Sequence, residues 1–135
     1  MIQHLLNPVV FAQATTIIFL AVLFLQSGLD KVFNFADNLA WLKEHFAKSP
    51  VRGQVKGMLL MVTVAEVSAG ILALVGGVQI VLSDQTTWAL YGAQLATIDI
   101  LILFIGQRLA KDYAGAATLV PYFMLCVGEV LLLNL

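Results

Sequence analysis

Residues 55–75 read VKGMLLMVTVAEVSAGILALV, and this stretch decides which kind of fold the chain can adopt. Beyond Lys56 it holds one ionisable residue, Glu66, among side chains that are nearly all apolar. A transmembrane helix needs about 20 mostly apolar residues, because the hydrocarbon core of a bilayer is about 30 Å thick. The length and composition of this stretch therefore predict a membrane-spanning helix.

The composition of the whole chain agrees with this prediction. Its 135 residues are 61% hydrophobic and only 11% charged, with a mean hydropathy of +0.95. Soluble domains carry about 25% charged residues. A protein of this size has too much surface relative to its volume to hide so many apolar side chains from water. These properties exclude a soluble domain and predict an integral membrane protein.

Three further apolar segments indicate that the chain crosses the membrane four times. We expect spans at residues 9–29, 55–75, 87–105 and 116–133, all within one membrane domain, residues 1–135. Gly76-Gly77 predicts a break after the second span, and Val78 to Leu82 either extend that helix or form a short connection. The polar residues 83–86 predict a turn, with Asp84 or Thr86 as the N-cap of the third span. The fold class is therefore all-α, a four-transmembrane-helix bundle.

The connection between the first two spans carries its own helical pattern, at about residues 35–48. Its apolar side chains recur at steps of three and four and form one stripe: Phe35, Leu39, Leu42 and Phe46. The charged residues Asp37, Lys43 and Glu44 lie off this stripe, which is typical of a helix at a membrane interface. We expect a short cytoplasmic interfacial helix, with a partner-docking helix as the alternative.

The positively charged residues predict the orientation of the spans. All seven lie in the two connections that share one side of a four-span chain: Lys31, Lys43, Lys48, Arg52, Lys56, Arg108 and Lys111. The positive-inside rule places this side in the cytoplasm. We therefore expect a bacterial inner membrane, with both termini on the outer, periplasmic side.

Other features of the sequence limit the kinds of function. The net charge of −1 gives no electrostatic basis for binding nucleic acid. Cys126 is the one cysteine, so an intrachain disulfide and a cysteine-based metal cluster are excluded. His4 and His45 are far apart in the sequence and predict no metal site. We expect no covalently bound or metal-ligated cofactor.

Three acidic residues lie inside predicted spans: Glu66, Asp99 and Glu129. A charged side chain at the centre of a span costs about 2.5–3.5 kcal/mol on insertion scales, so these residues need an explanation. Each shares a helix face with small or polar residues, which predicts that it points into the bundle. Together with Gln94 and Gln13 they form a candidate intramembrane proton or polar site. The alternative is a structural role, in which they only tie helices together.

The nearest cations on the same helices do not reach these acids. Lys56 precedes Glu66 by ten residues and Arg108 follows Asp99 by nine, a separation of about 15 Å along a helix. We therefore expect at least one acid to keep its proton and donate a hydrogen bond. The candidate hydrogen-bond partners are Gln94, Gln26, Thr63, Thr97 and Tyr91.

Two stretches resemble the DoxX family of small four-helix membrane proteins. Residues 24–35 read FLQSGLDKVFNF, an apolar helix that closes with a glycine, a lysine and aromatic residues. Residues 65–76 read AEVSAGILALVG, an Ala-Glu pair followed by spaced glycines. The resemblance marks Gly28, Lys31 and Glu66 as family-type positions, without implying a catalytic role for them.

The resemblance also implies a functional setting, because relatives include a subunit linked to thiosulfate–quinone oxidoreduction and proteins of oxidoreductase complexes that handle thiol stress. With the small size of the chain, it implies an integral membrane subunit of a respiratory or oxidoreductase complex. Such a subunit is non-catalytic itself, contacts lipid and other membrane protein subunits, and contributes to a quinone or lipid pocket. The alternatives are a quinone-linked thiosulfate or thiol oxidoreductase subunit, a proton-coupled small-solute transporter, and a membrane chaperone or assembly factor.

Overall fold

The structure is a computed structural model that describes residues 3–135. It contains four long apolar helical stretches. The α-helices are α1 (Pro8–Phe33), α2 (Phe35–His45), α3 (Val55–Ser83), α4 (Thr87–Leu109), α5 (Tyr113–Thr118) and α6 (Val120–Leu132). Short 3-10 helices cover Gln3–Leu6 and Arg52–Gln54. The stretches long and apolar enough to cross a membrane are Pro8–Phe33, Arg52–Ser83, Thr87–Leu109 and Tyr113–Leu132. The predicted all-α fold with four spans is confirmed.

Successive spans run in opposite directions. The imidazole Nε2 of His4 lies 2.7 Å from the carbonyl oxygen of Ile80, so the start of α1 lies beside the end of α3. The amide of Gln13 donates to the carbonyl oxygen of Leu132 at 2.8 Å, which places the end of α6 at the same level. All seven Lys and Arg residues therefore lie at the opposite end, where α1 and α4 finish and α3 begins. We call it the basic end.

Glycines bring α1 and α3 into backbone contact. A Cβ atom on Gly28 would lie 3.0 Å from the backbone nitrogen of Val67. A Cβ atom on Gly70 would lie 2.9 Å from the backbone nitrogen of Leu25. Small residues of this kind let membrane helices pack closely, where van der Waals contact replaces the hydrophobic driving force of water.

Close glycine contacts also join α3 to α4, and they lie where the sequence predicts a break in the helix. A Cβ atom on Gly76 would overlap the backbone of Ala89, and one on Gly92 would lie 2.8 Å from the backbone nitrogen of Ala73. Helix α3 runs through Gly76-Gly77, so the predicted break after residue 75 is wrong and the alternative, in which Val78 to Leu82 extend the helix, is confirmed. These glycines serve helix packing inside α3, which continues to Ser83.

The α3–α4 turn differs from the predicted capping as well. Asp84 follows α3 in the left-handed conformation, with φ of 60°, and its N–H donates to Ile80. Asp84 is thus a C-cap of α3 rather than an N-cap of α4. Thr86 occupies the N-cap position of α4, but its side chain makes no capping hydrogen bond there.

The fourth span is broken where one continuous helix was expected over residues 116–133. Helix α5 ends at Thr118, Leu119 forms a turn, and α6 begins at Val120. Pro121 explains the break, because proline has no N–H to donate to the carbonyl four residues earlier and its ring clashes with that carbonyl. The span also begins earlier than predicted, since the Asp112 carboxylate caps α5 by accepting from the N–H of Gly115 at 2.9 Å.

Helix α2 confirms the short helix expected between the first two spans, although it ends at His45 rather than at residue 48. Asn34 alone separates it from α1. Phe46, at the end of the predicted stripe, is buried, whereas Lys43 and Glu44 are exposed. The helix itself contains no buried residue, so it lies on the bundle instead of within it.

The interior of the bundle is built from large side chains of α1 and small ones of its neighbours. Ile17, Leu20 and Phe24 pack against alanines of α3 and α4, including Ala73 and Ala93. The outward faces of the spans are also apolar and carry exposed aliphatic and aromatic side chains. Such a surface is suited to a lipid bilayer, because lipid tails are as apolar as the side chains that meet them.

Candidate functional site

An ion pair lies between the end of α1 and the middle of α3. The ammonium of Lys31 donates to the Glu66 carboxylate at 3.0 Å and to the hydroxyl of Ser27 at 2.9 Å. Only 2% of the Glu66 side chain is exposed, against 19% for Lys31. Because a buried charge is tolerated when it is paired and hydrogen-bonded, Lys31 explains how Glu66 is accommodated.

The packing of α1 on α3 places this pair. Gly28 lies against the backbone of Glu66 and Val67, where a Cβ atom would come within 3.3 Å of both. Lys31 follows Gly28 by three residues and so lies on the same face of α1. The glycine contact therefore brings the lysine side chain directly to Glu66.

The pair lines a pocket of about 310 Å³ at the basic end of the bundle. Most of the wall is apolar, and it is supplied by α1, α2, α3 and α4, with Leu119 beside them. The polar groups in the wall are Ser27, Lys31, Asn38, Glu66 and Gln107. A mostly apolar pocket with a few convergent polar groups is the usual form of a small-molecule site.

Helix α2 forms one wall of this pocket through Trp41, Leu42 and the following Phe46. Its end lies beside α5, where His45 Nε2 is 3.2 Å from the carboxylate of Asp112 without a hydrogen bond between them. The imidazole of His45 also stacks on Trp41, with ring centroids 4.6 Å apart. The pocket is therefore covered by a lightly packed helix whose C-terminal end lies beside α5.

Asp99 and Glu129 lie deeper in the bundle, outside the pocket wall. They are 0% and 1% exposed, and their carboxylate oxygens have no hydrogen-bond partner among residues 3–135. The Cys126 thiol is fully buried and lies near both acids. The sequence predicts Glu66 and Asp99 near mid-bilayer and Glu129 nearer the outer end, and of the three only Glu66 lines the pocket.

The predicted partners make no hydrogen bond to the acids among residues 3–135. Three of them are exposed on outward faces of their helices: Gln26, Tyr91 and Gln94. The hydroxyls of Thr63 and Thr97 instead donate to carbonyls of their own helices, at 2.6 and 2.7 Å. Gln13 is buried, yet its amide binds the end of α6.

The prediction from cations on the same helix considers Lys56 and Arg108 alone. The cation that pairs with Glu66 is Lys31, which comes from the preceding span. The spacing of Gly28 and Lys31 is the signal that points to the pairing, since it places a cation next to a close-packing glycine. Sequence reasoning also missed three other polar residues of the pocket wall, which are Ser27, Asn38 and Gln107.

Among residues 3–135, no three His, Cys, Asp or Glu side chains are grouped so that they could hold a metal ion. The pocket offers different chemistry. It combines a cationic donor, a carboxylate and an amide with aromatic and aliphatic walls. This combination suits a small, flat, largely apolar molecule with polar atoms at its edge.

Comparison with known proteins assigns the family. The DoxX family model matches residues 14–105, more than half of the chain, and the match includes Gly28, Lys31, Glu66 and most of the pocket wall. No curated protein and no solved structure matches the chain. The chain is a multi-pass membrane protein with four spans, and it belongs to the DoxX family.

Proposed function

We propose that this protein is an integral membrane subunit of a respiratory or oxidoreductase complex and that its pocket binds a quinone headgroup. The observation that carries the proposal is the Lys31–Glu66 pair, which lies in an otherwise apolar pocket at the basic end. The subunit is non-catalytic on its own and provides a binding site for a redox partner.

The chemistry of the pocket supports a quinone. A quinone is a flat apolar ring with two carbonyl oxygens that accept hydrogen bonds. The ammonium of Lys31 has three N–H donors, of which Ser27 and Glu66 engage two, so one remains for a carbonyl. Trp41 and Phe46 supply aromatic surface for the ring. The pocket volume of about 310 Å³ lies at the small end of the range for ligand sites.

The residues that could ligate a redox cofactor are few, which supports an electron source outside this chain. Reduction of a quinone consumes two electrons and two protons, and Glu66 is placed to exchange a proton with a ligand in the pocket. With one cysteine and two histidines, the sequence offers no ligand set for a redox cluster. A partner subunit with a redox cofactor would supply or accept the electrons.

The two tryptophans allow a direct binding test. Trp41 lines the pocket, whereas Trp88 lies at the opposite end of the bundle. In a Trp88→Phe variant, a short-chain benzoquinone should quench the remaining fluorescence of Trp41 saturably. In a Trp41→Phe variant, it should produce only weak, non-saturating quenching of Trp88. Equal quenching of both tryptophans would indicate simple partition into the detergent or lipid and would contradict the proposal.

A pair of matched glycine substitutions shows whether the pocket itself is the site. A Cβ atom on Gly106 would lie 3.7 Å from Met58 and 3.8 Å from Phe46, so Gly106→Leu fills the pocket. Gly128 faces open space, and Gly128→Leu is the control. We expect Gly106→Leu to weaken quinone binding about tenfold or more, because a ring displaced by the new side chain would lose its hydrogen bond to the Lys31 ammonium. An unchanged affinity would place the quinone elsewhere.

The complex is tested by purification from native membranes in several mild detergents. We expect a stoichiometric partner that carries a redox cofactor and reduces or oxidises the bound quinone. Recovery of the protein only as a monomer or homodimer in every detergent would argue against a subunit role, even if the quinone binds.

A further inference from the structure

We propose that Glu66, Asp99 and Glu129 form a proton-transfer route that leads from the pocket toward the end of the bundle opposite to the basic end. The route needs no quinone, so the inference goes beyond the proposed function. It adds proton exchange between the pocket and the far side of the membrane.

Asp99 and Glu129 are buried acids that do not tie the helices together. All four of their carboxylate oxygens are buried without a hydrogen-bond partner within residues 3–135. Acids with a structural role in a membrane protein hydrogen-bond across the contact between two helices. Because neither side chain makes such a bond, that role does not explain their presence. Chains of buried acids inside a membrane are typical of proton relays.

Neither acid is paired with a cation within residues 3–135. Lys31 binds Glu66 at 3.0 Å, and the other lysines and arginines lie at the basic end. A buried carboxylate without a partner is so costly that the group takes up a proton instead. Each acid therefore holds one proton and keeps a second oxygen free to accept another, which are the two properties that a relay group needs.

The three acids follow one another along the bundle. Glu66 lies 17 residues before the end of α3, Asp99 lies 12 residues after the start of α4, and Glu129 lies three residues before the end of α6. These positions are about 26, 18 and 5 Å from the helix ends that lie opposite to the basic end. Asp99 lies near the Lys31–Glu66 pair, and Cys126 lies near both Asp99 and Glu129. The acids therefore form a series that begins at the pocket and approaches the opposite end.

Small apolar side chains flank the first two acids. Ala69 follows Glu66 by three residues and Ala96 precedes Asp99 by three, and both alanines are buried. Residues three apart lie on the same face of a helix. Because a methyl group forms no hydrogen bond with a carboxyl group, these positions hold nothing that competes for the proton.

Transfer along the series leaves no net charge behind. A protonated carboxyl group passes its proton to the next group and is reprotonated by the group before it, so each acid ends in the state in which it began. Glu66 exchanges protons with water or a ligand in the pocket, and Glu129 exchanges them with the opposite side. The proton gradient sets the direction, and the transfer needs no electron donor or acceptor.

Proton uptake into vesicles measures the route. The vesicles contain the full-length protein and a pH dye, and valinomycin imposes a potassium diffusion potential. We expect wild-type vesicles to take up protons faster than protein-free vesicles. Asp99→Asn and Glu129→Gln keep the shape of each side chain and remove the acid. Each should lower the protein-dependent rate by about 100-fold or more, the contribution of one positioned acid–base group.

Glu44→Gln is the matched control, because Glu44 is an exposed acid of α2. It should keep the wild-type rate, and thermal unfolding shows whether each variant is folded. A wild-type rate equal to that of protein-free vesicles would overturn the route. A rate that survives both Asp99→Asn and Glu129→Gln in folded protein would do the same.

Infrared spectroscopy tests the route without any substitution. The wild type should show the C=O stretch of protonated carboxyl groups. This band should shift on transfer to heavy water, because a relay exchanges its protons with solvent. A spectrum that lacks the band, or a band that does not shift, would contradict the proposal.

Quinone binding separates this inference from the proposed function. Asp99→Asn and Glu129→Gln should leave the quenching of Trp41 by a short-chain benzoquinone unchanged, because both acids lie outside the pocket wall. Proton uptake without quinone binding would support the route and overturn the quinone site. Quinone binding without proton uptake would support the quinone site and overturn the route.

Discussion

At the scale of single residues, the Lys31–Glu66 pair is the interaction on which the basic end depends most. Each charge loses hydration on burial, and that loss amounts to several kcal/mol per ion in a protein interior. The 3.0 Å contact and the additional hydrogen bond to Ser27 offset it. The net contribution of the pair to stability is therefore small, but loss of one member leaves the other charge buried and unpaired, which is strongly destabilising.

Replacement of Lys31 by methionine should destabilise the protein by about 3–5 kcal/mol, because it leaves the Glu66 carboxylate buried and unpaired. The double variant Lys31→Met with Glu66→Gln should recover a large part of this loss. Unfolding in mixed micelles measures both effects. Lys56→Met removes an exposed lysine at the same end and should change stability by less than about 0.5 kcal/mol. A similar loss in the Lys56 variant would show that the pair has no special role.

At the scale of helices, close contact between backbones decides which side chains meet. Gly28 and Gly70 set the distance between α1 and α3, and Gly76 and Gly92 set that between α3 and α4. A larger residue at any of these positions would separate two helices. The site would then change even though no pocket residue had been replaced.

Gly28→Ala tests this dependence. The added methyl group would lie 2.8 Å from Val67 Cγ2 and 3.0 Å from its backbone nitrogen, so α1 must shift. We expect a loss of about 1–3 kcal/mol, typical of overpacking, together with weaker quinone binding. Gly128→Ala meets open space and should instead stabilise α6 by up to about 1 kcal/mol. If the two variants behave alike, the close approach of α1 to α3 does not matter for the pocket.

Asp112 connects two elements, since one carboxylate oxygen caps α5 and the other lies 3.2 Å from His45. Asp112→Ala should lose about 1 kcal/mol from the cap and should also release α2. Asp112→Asn can still cap α5, so it isolates the contact with His45. Hydrogen exchange of residues 35–45 should accelerate in both variants. Unchanged exchange in both would show that α2 is held by Phe46 and its neighbours alone.

At the scale of the whole molecule, the positions of the cations and of the pocket both distinguish one end of the bundle from the other. Every lysine and arginine lies at one end, and the pocket opens near that end. The positive-inside rule therefore predicts that a ligand reaches the pocket from the cytoplasmic half of the bilayer. The turn between α3 and α4 would face the other side.

The single cysteine makes this orientation measurable. Cys126 is the one cysteine of the sequence, so Cys126→Ala provides a cysteine-free background. In intact cells, a membrane-impermeant maleimide should label Gln85→Cys in the α3–α4 turn. Lys43→Cys in α2 should react only after the membrane is permeabilised. The reverse pattern would place the basic end outside and contradict the predicted orientation.

The sequence predicts the bundle well because the lengths of apolar runs and the period of α2 are local properties. It fails at Gly76-Gly77, because the same glycines suit a turn and a helix–helix contact equally well. It also fails at Pro121, where the apolar run continues although the backbone hydrogen bonding is interrupted. In the site, it identifies Glu66 and Lys31 separately but does not pair them, and it gives no indication of Gln107.

By itself, then, the sequence determined that this protein lies in a lipid bilayer and how many spans it has. It also determined the short helix between the first two spans and the side on which the cations lie. Each of these follows from composition or spacing along the chain. Only the tertiary structure decided that Lys31 meets Glu66, that Asp99 and Glu129 lie apart from the pocket, and that the oxygen of Gln107 has no partner. The physical reason is that these contacts depend on the approach of helices from distant parts of the chain, which close-packed glycines permit and no local pattern records.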